Sequence, residues 1–477
     1  MKIMKIKFII FIFISGIVLF LGSCKTPFIT TKIENNALPP SFTNSTDSSN
    51  CANINWRNYF SDPYLEALID TALHHNQELN ITLQEIEISK NEINVRKGEY
   101  LPYVNFGAAL GPDRAGKYTW DGFSEEDLKA EPDRGPKYIG DFIGVANMSW
   151  ELDVWKKLRN AKKSSVMKYL SSIESKNFLV TKLVGEIASS YYELLALDNM
   201  LEIINQNVEN QTIALTTVKL QKESAKANQL AVNRFEALLL HTKNLQYELQ
   251  QRVVETENKL KFILGKYTKT IPRNASLFNT VNLGIMNTGV PSQLLQNRPD
   301  IRMAEKEIAA AKLDVAVAKA NFLPSFKLSA RLGFQAFNPA VLLNPESILY
   351  NVFGDLTAPL INKNTIKSIY FNANLKQIQS VYEYEMKILN AYVEVINQMN
   401  ALQNYSESFK TKQKEVEFLN QSVEISNSLF LSARADYLEV LLTQREALDS
   451  KIELVETKLK QMIAKINIYK ALGGGWK

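Results

Sequence analysis

The chain contains two related copies of one unit, and this duplication limits most strongly what it can fold into. Residues 76–110 align with residues 298–332 at a constant offset of 222 residues, and nine of the 35 aligned pairs are identical. Farther along, residues 225–230 align with residues 433–438 at an offset of 208. Because solenoid repeats have periods of only about 20–50 residues, the pattern predicts a duplicated architecture with pseudo-two-fold character.

Two long stretches of the chain almost lack glycine and proline. Residues 154–264 contain one glycine and no proline, and residues 361–472 contain neither. Helix interiors exclude glycine because it costs backbone entropy, and proline because it removes a hydrogen bond and clashes with the preceding turn. No ordinary globular helix is this long, so each stretch predicts two long helices joined by a turn.

The apolar residues of the second stretch predict how these helices pack. Spacings of four and three residues alternate along a seam formed by Leu441, Arg445, Leu448, Ile452, Val455, Leu459, Met462, Ile466 and Tyr469. Arg445 is its one charged member. A sustained 3.5-residue repeat is typical of coiled-coil packing against partner helices.

Four short segments between the helical stretches alternate with period two: 103–110, 142–154, 326–334 and 348–360. Large apolar residues occupy one face and polar residues the other. This pattern suits a strand between lipid and a water-filled lumen, and also a half-buried soluble sheet. An N-terminal secretion signal and aromatic residues near the strand ends favour the membrane interpretation. The aromatic residues are Tyr100, Trp150, Trp155 and Phe322.

Each copy therefore supplies one β-hairpin between long helices. Four strands cannot close a barrel, and an open sheet edge cannot lie in lipid because its backbone groups would be unpaired. The sequence thus predicts an oligomer. Closure alone is compatible with two copies and eight strands or with three copies and twelve strands.

The N-terminus has the pattern of a bacterial lipoprotein signal. Three lysines precede an apolar run at residues 8–20, which is too short to span a membrane comfortably. The run ends in Leu21-Gly22-Ser23-Cys24, which resembles a lipobox. We therefore expect residues 1–23 to be a cleaved signal peptide and Cys24 to carry the lipid. Residues 24–53 are rich in serine, threonine, asparagine and proline, and they predict an extended lipidated tether.

The remaining chain divides into two repeats. Residues 54–264 form the first, with a β-hairpin at about 103–154 and a long helix pair, and residues 265–290 form a linker. Residues 291–472 form the second, with a helix, a β-hairpin at about 325–360 and a long helix pair, and a tail occupies 473–477.

Composition argues against catalysis and against nucleic-acid binding. Two cysteines and three histidines leave little material for a metal site, and no phosphate-binding loop or nucleophile-elbow motif occurs. The net charge of +5 is interspersed along the helical stretches, which is typical of solvated helix faces. We expect no enzymatic activity, cofactor, metal or nucleic-acid partner.

A series of ordered motifs runs along the chain. These are Trp56 with Phe60-Ser61-Asp62-Pro63, Tyr100-Leu101-Pro102, Trp150-Glu151-Leu152-Asp153-Val154-Trp155, Pro291-Ser292-Gln293-Leu294-Leu295 with Arg298-Pro299-Asp300, Tyr437-Leu438-Glu439-Val440-Leu441 and Ala471-Leu472-Gly473-Gly474-Gly475-Trp476. With these motifs in this order, the chain resembles the TolC-like outer-membrane factors, and within them the lipidated OprM/NodT-type branch. The resemblance covers essentially the whole mature chain.

Membership implies a homotrimer with a twelve-stranded outer-membrane β-barrel, four strands per chain, continued by a long α-helical coiled-coil tunnel in the periplasm. It implies the passive exit duct of a tripartite efflux pump for drugs or other small toxic compounds. The partners would be a periplasmic adaptor protein and an inner-membrane RND-type transporter. Two alternatives are the outer-membrane channel of a type I protein secretion system and a non-channel coiled-coil surface lipoprotein.

The resemblance also implies where the functional residues lie. The two helix turns would form the periplasmic tip that meets the adaptor, with contacts from Ala225, Lys226, Ala227, Ala433, Arg434 and Ala435. Glycine usually occupies the positions of Ala225 and Ala433 in the family, so the tip departs from the pattern there. In the following helix, Leu438, Glu439 and Leu442 would form the periplasmic gate.

Overall fold

A computed structural model describes residues 26–42, 47–113, 139–267, 270–280, 287–336, 338–359, 361–432 and 434–477. Its strands are β1 (Tyr103–Asp113), β2 (Ile139–Leu152), β3 (Ser325–Ala336) and β4 (Ile348–Thr357). Its helices are α1 (Trp56–Phe60), α2 (Pro63–His75), α3 (Gln77–Tyr100), α4 (Lys157–Glu223), α5 (Gln229–Leu264), α6 (Leu277–Thr280), α7 (Leu294–Asn297), α8 (Pro299–Ala320), α9 (Asn364–Leu431) and α10 (Tyr437–Ala471).

The described residues divide into two compact units. Apart from the gaps given above, the first unit consists of residues 26–33, 87–170 and 306–382, and it contains the four strands. The second consists of residues 34–86, 171–305 and 383–477, and it contains the turns between the long helices.

The strands form one antiparallel sheet in the order β1-β2-β3-β4, which confirms the prediction of four strands per chain. The two predicted hairpins are β1–β2 and β3–β4. Pairing of β2 with β3, which sets Asn147 opposite Arg331, joins the hairpins of the two copies into one sheet. Strands β1 and β4 are its edges.

The two faces of the sheet differ sharply in polarity. One face carries large apolar side chains that are each 61–81% exposed: Val104, Phe106, Leu110, Leu332, Tyr350 and Val352. The other face carries polar pairs, and Arg331 Nε donates a hydrogen bond of 3.2 Å to Asn147 Oδ1. Alternation of this kind matches strands between lipid and a wet interior.

Aromatic side chains near the strand ends have two different roles. The indole N–H groups of Trp150 and Trp155 donate to the backbone carbonyls of Tyr100 and Pro324, at 3.0 and 2.7 Å. The expectation that Phe322 belongs to an interfacial belt is wrong. The Phe322 side chain is 1% exposed and packs edge-on against the ring of Tyr370, so it is a core residue.

The long helices confirm the prediction from glycine and proline depletion. Helices α4 and α9 contain 67 and 68 residues, and their partners α5 and α10 contain 36 and 35. Leu448, Met462 and Tyr469 of the predicted seam are buried. Arg445 turns to the surface, where its Nε lies 3.8 Å from an Asp449 carboxylate oxygen. None of the helices within the described ranges is both long and apolar enough to cross a bilayer.

Residues 26–42, here called the strap, are extended and held against α9. In the first unit, the side-chain amides of Asn374 and Gln377 donate to the backbone carbonyls of Thr30 and Lys32, at 2.9 and 3.2 Å. In the second unit, Phe42 stacks on Tyr392 with ring centroids 5.8 Å apart. The strap is therefore bound both through its main chain and through side chains, since Ile29 also packs against the cluster that contains Phe322.

Candidate functional site

The turns between the long helices, residues 224–228 and 432–436, repeat the same closing hydrogen bond. In the first turn the Lys226 N–H donates to the Gln221 carbonyl at 2.8 Å. In the second the Arg434 N–H donates to the Leu429 carbonyl, also at 2.8 Å. Such six-residue closures satisfy carbonyls that the last turn of a helix would otherwise leave unpaired.

Ala225 is the strained residue of the first turn. Its φ is +57°, in the left-handed region that favours glycine because a Cβ crowds the following carbonyl. Glycine at this position would therefore fit the turn better than alanine. The repeat equivalent, Ala433, lies outside the described residues.

The two turns differ in how they cap the helix that follows. Asn228 Oδ1 accepts a hydrogen bond of 2.9 Å from the Ala231 N–H and so caps α5. At the equivalent position before α10, the Asp436 side chain makes no capping bond. The second turn thus carries an exposed carboxylate that the first turn lacks.

An apolar cluster in the second unit supports both turns. Its buried members are Leu215, Val218, Ala231, Val232, Phe235, Leu239, Val440 and Leu441. Ala227 and Tyr437, one from each turn region, are partly buried against it. Packing in this cluster determines which face of α10 points inward at its start.

The predicted gate residues lie on the opposite, exposed face of the first turns of α10. Leu438 and Leu442 are 45% and 50% exposed, and Glu439 is also exposed. Residues four positions apart on a helix lie on one face, so the two leucines flank the carboxylate. Val440, by contrast, is 2% exposed. The structure thus brings the three predicted residues together on a face that the cluster leaves uncovered.

A cavity of about 810 Å³ lies between the two turns. Of the predicted tip residues, Lys226, Ala227 and Ala435 line it, whereas Ala225 and Arg434 are exposed without lining it. Phe430 and Tyr437 also line the cavity, although neither was predicted as a site residue. An aromatic residue close to each end of the second turn is the signal that could have identified them.

Two other predictions concern chemistry away from the turns. Cys24, the predicted lipidation site, lies outside the described residues. Within those residues, no group of three or more histidine, cysteine, aspartate or glutamate side chains is arranged to hold a metal ion.

Comparison with known families gives a match over most of the chain. Residues 68–266 and 290–474 match the family described as outer membrane efflux protein. The two matched segments contain both pairs of long helices and all four strands.

Several relatives resemble the chain along nearly its whole length. It is 25% identical over 430 residues to the cation efflux system protein CusC of Escherichia coli O6:H1, with 90% of each chain covered. It is 27% identical over 422 residues to the pyoverdine export outer membrane protein OpmQ of Pseudomonas putida, with 88% of each covered. It is 24% identical over 445 residues to SilC of Salmonella typhimurium, named a probable outer membrane lipoprotein, with 93% and 92% covered.

Solved structures share the fold. The crystal structure of CusC superposes with a TM-score of 0.80 at 23% identity, covering 94% of this chain and 99% of CusC. The open state of the Neisseria gonorrhoeae MtrE outer membrane channel superposes with a TM-score of 0.83 at 19% identity, covering 95% and 99%.

These comparisons confirm the resemblance to outer-membrane factors and the expected fold class of a strand-bearing, mainly helical channel subunit. They confirm a location in the outer membrane and a function as the exit duct of an efflux system, and the family is one of channels, not of enzymes. The chain belongs to the outer membrane efflux protein family.

Proposed function

We propose that three copies of the chain form one passive outer-membrane duct that releases drugs or other small toxic compounds. An inner-membrane RND-type transporter would supply the energy, and a periplasmic adaptor would connect it to the duct. In each chain the four strands would form a third of a twelve-stranded barrel, and the long helices would continue it as a periplasmic tunnel.

The observation that carries the proposal is the sheet with one apolar exposed face and two open edges. Phe106, Leu110 and Tyr350 are each more than 75% exposed on that face, in strands that pair on one side only. A face of this kind is stable against lipid, but edge N–H and C=O groups need partners there. Edge strands of neighbouring copies supply those partners when the barrel closes.

The helices offer a second surface for neighbouring copies. Leu240, Tyr247 and Val254 recur every seventh residue on α5 and are 60%, 66% and 50% exposed. A heptad stripe of this kind is typical of a coiled-coil contact. We assign a second copy of the chain as its partner.

At the periplasmic end, we assign the gate to Leu438, Glu439 and Leu442. Three-fold symmetry would bring three copies of this exposed face toward one axis, where the leucines restrict water and the carboxylates repel each other. Two carboxylates about 4 Å apart repel by about 4 kcal/mol at an effective dielectric constant near 20. Such a ring attracts cations.

The adaptor would contact the two turns. We assign this contact to Ala225, Lys226, Ala227, Ala433, Arg434 and Ala435. The adaptor would also contact the cavity that Phe430 and Tyr437 line. Lys226 and Arg434 supply exposed positive charge, and Asp436 supplies an exposed carboxylate. An adaptor with complementary charges would therefore be oriented between the turns.

A lipid on Cys24 would anchor each copy at the membrane through the strap. The lipobox pattern supports this assignment, as does the name of SilC. Thr30 lies six positions after Cys24, and its carbonyl accepts a hydrogen bond from the Asn374 amide. An extended chain of that length reaches roughly 20 Å, so the lipid would insert close to that part of α9.

Mass measurement of the detergent-solubilised complex tests the assembly, and planar-bilayer recording tests conduction. We expect a trimer that forms discrete channels and that restores export of a fluorescent small molecule in cells lacking their own duct. A stable monomer or dimer, or a trimer without conductance, would contradict the proposal. Restored secretion of a protein substrate without small-molecule export would favour a secretion channel instead.

Two neighbouring residues of β1 provide a matched pair of variants. Phe106→Lys places a charge on the apolar face, which costs about 2–4 kcal/mol near the middle of a bilayer, and should reduce the trimer yield. Asn105→Lys places the same charge on the polar face and should leave the yield unchanged. Equal yields from the two variants would rule out a lipid-facing role for that face.

A further inference from the structure

Arg331 lies on the polar face of the sheet, in a row of residues that crosses all four strands. Backbone pairing forms this row, here called the arginine row, from Asn105, Asn147, Arg331 and Asn351. The hydrogen bond to Asn147 uses only the Nε–H of Arg331. Within the described residues its terminal nitrogens, which carry four of the five guanidinium N–H groups, make no hydrogen bond or ion pair.

The arginine row is electrostatically isolated on its face. Its other members are neutral amides, and the nearest charged side chains on this face within the described ranges are four residues away along the strands. There, Lys327 lies opposite Glu151 on one side and Asp355 on the other. Four residues of strand span about 13 Å, which exceeds the Debye length of about 8 Å at physiological ionic strength. Arg331 therefore presents a positive charge that nothing described on its face neutralises, whereas Lys327 has a carboxylate opposite it in each neighbouring strand.

Two exposed aromatic rings lie on the same face beside the arginine row. Tyr103 and Phe353 are each two residues from a member of that row, so they share its face. Their side chains are 66% and 58% exposed. Two residues of strand span about 7 Å, so each ring is close to the arginine row. This face thus offers a cation and apolar rings at a spacing that suits one solute with both a charge and an aromatic body.

From these two observations, we propose that the polar face recognises amphipathic organic anions, such as aromatic sulfonates and carboxylates, as they leave through the barrel. This inference rests on the proposed duct, because assembly of the barrel turns the polar face inward. The free guanidinium N–H groups of Arg331 would donate to the anionic group. The rings of Tyr103 and Phe353 would contact the apolar body. Arg331 would then be a specificity-determining residue of the duct.

The barrel is wide enough for such solutes to pass the arginine row. Twelve strands about 4.8 Å apart and tilted by about 40° enclose a barrel with a backbone radius of about 12 Å. Three arginines on that wall do not plug it. They act instead by attraction, since charge of one sign on the wall of a cleft raises the local concentration of solutes of the opposite sign. The proposed gate at Glu439 would have the opposite preference, for cations.

Current block by pyrenetetrasulfonate, a rigid aromatic anion, tests the inference in single channels of the full-length assembled protein. Added on the extracellular side at constant ionic strength, it should block the parent channel, and sulfate should block much less because it has no rings. In Arg331→Gln the blocking constant should rise by about tenfold or more, because the contacts between opposite charges are lost. Arg331→Lys should retain most of the block. An unchanged constant in Arg331→Gln would refute the role of this residue.

Two further variants separate the charge from the rings. Lys327→Gln removes the same charge from the same strand and face, and it should leave the blocking constant unchanged. Phe353→Ser should raise the blocking constant about threefold, as for loss of one aromatic contact, without changing the reversal potential in a potassium chloride gradient. Equal effects of Arg331→Gln and Lys327→Gln would show a general field in the lumen and would refute a local site.

The parent protein alone distinguishes failure of this inference from failure of the duct. If it forms no channels, the duct is contradicted and the inference falls with it. If it forms channels that pyrenetetrasulfonate blocks no better than sulfate, the duct stands and the inference is refuted. This comparison is independent of whether any variant folds. Block that persists in Glu439→Ala is expected, because the anion would bind at the barrel and not at the gate.

Discussion

The guanidinium Nη1 of Arg298 donates a hydrogen bond of 2.8 Å to the backbone carbonyl of Ala471, the last residue of α10. The same group pairs with Asp300 and Glu394, each at 2.8 Å, and its side chain is 9% exposed. Four parts of the second unit therefore meet at one buried cation: the residue before α8, the first turn of α8, α9 and the end of α10.

Replacing Arg298 with leucine should destabilise the second unit by about 3 kcal/mol, because the partner carboxylates and the Ala471 carbonyl lose their donor. The apparent unfolding temperature of the solubilised protein measures this loss. Arg252→Leu removes an exposed arginine of α5 and should change stability by less than about 0.5 kcal/mol. Similar losses in the two variants would contradict a structural role for the buried cation.

Ala225→Gly should stabilise the first turn by up to about 1 kcal/mol, since glycine adopts a φ of +57° without the steric cost of a Cβ. Ala227→Gly, at a residue of the same turn without positive φ, should be neutral or destabilising. Thermal unfolding of both variants checks the difference. A fall in stability for Ala225→Gly would show that the alanine methyl makes a contact that outweighs the backbone strain.

Acid should selectively weaken the junction between β2 and α4. Burial alone would raise the pKa of Asp153, but hydrogen bonds from the Arg159 and Leu158 N–H groups outweigh it and hold the pKa below the ordinary value of 3.8. A depressed pKa in the folded state means that Asp153 stabilises the fold at neutral pH. That stability is lost as the pH falls below about 4 toward the folded-state pKa.

Asp153→Asn should therefore destabilise the protein by about 1 kcal/mol at neutral pH, as expected for loss of a charged helix cap. Its difference from the parent should shrink as the pH falls below about 4. Unfolding temperatures measured across this pH range provide the check. Asp449→Asn, at an exposed carboxylate of α10, serves as control. A difference that stays constant with pH would mean that Asp153 does not titrate as proposed.

Single-channel recording tests the proposed gate. Glu439→Ala should weaken cation selectivity and block by multivalent cations from the periplasmic side, because it removes the ring of repelling carboxylates. Leu438→Ser should raise the resting conductance by admitting water. Glu446→Ala, an exposed charge farther along α10, should behave like the parent. If Glu439→Ala also matches the parent in selectivity and block, Glu439 is only a surface charge.

Cys24→Ala tests the lipid anchor. The variant should lose incorporation of labelled palmitate while the trimer still assembles, because the lipid adds anchorage but the strands span the membrane. Labelling that persists in the variant would place the lipid on another residue and refute the lipobox assignment. The other cysteine, Cys51, is 1% exposed, so Cys51→Ala is a control that should retain the label.

Local sequence patterns predicted the elements of the fold well. Depletion of glycine and proline predicted the long helices, because each such residue would have cost helix stability wherever it occurred. Period-two alternation predicted the four strands. Pairing of β2 with β3 was not predicted, because it joins residues such as Asn147 and Arg331 that lie far apart in sequence. Phe322 was misassigned because its burial depends on tertiary packing and not on its distance from a strand.

Of the candidate site, the positions of the two turns could be predicted from the sequence. Repeat alignment located both turns, since duplicated turns need the same chain length to close. The family resemblance, not the local sequence, pointed to Leu438, Glu439 and Leu442 as the gate, which stays a prediction. The cavity between the turns was not predictable, because its lining depends on how the ends of α4, α5, α9 and α10 converge.

Backbone carbonyls of the strap accept hydrogen bonds from α9, and this has an evolutionary consequence. Asn374 and Gln377 bind the main chain of Thr30 and Lys32, which every amino acid provides alike. Substitutions in the strap should therefore be tolerated at positions that contribute only main-chain groups, but not at Ile29, Lys32 and Phe42, whose side chains make contacts. Selection should instead preserve the two amides of α9. Among relatives, the receiving helix should be the more slowly changing partner of this contact.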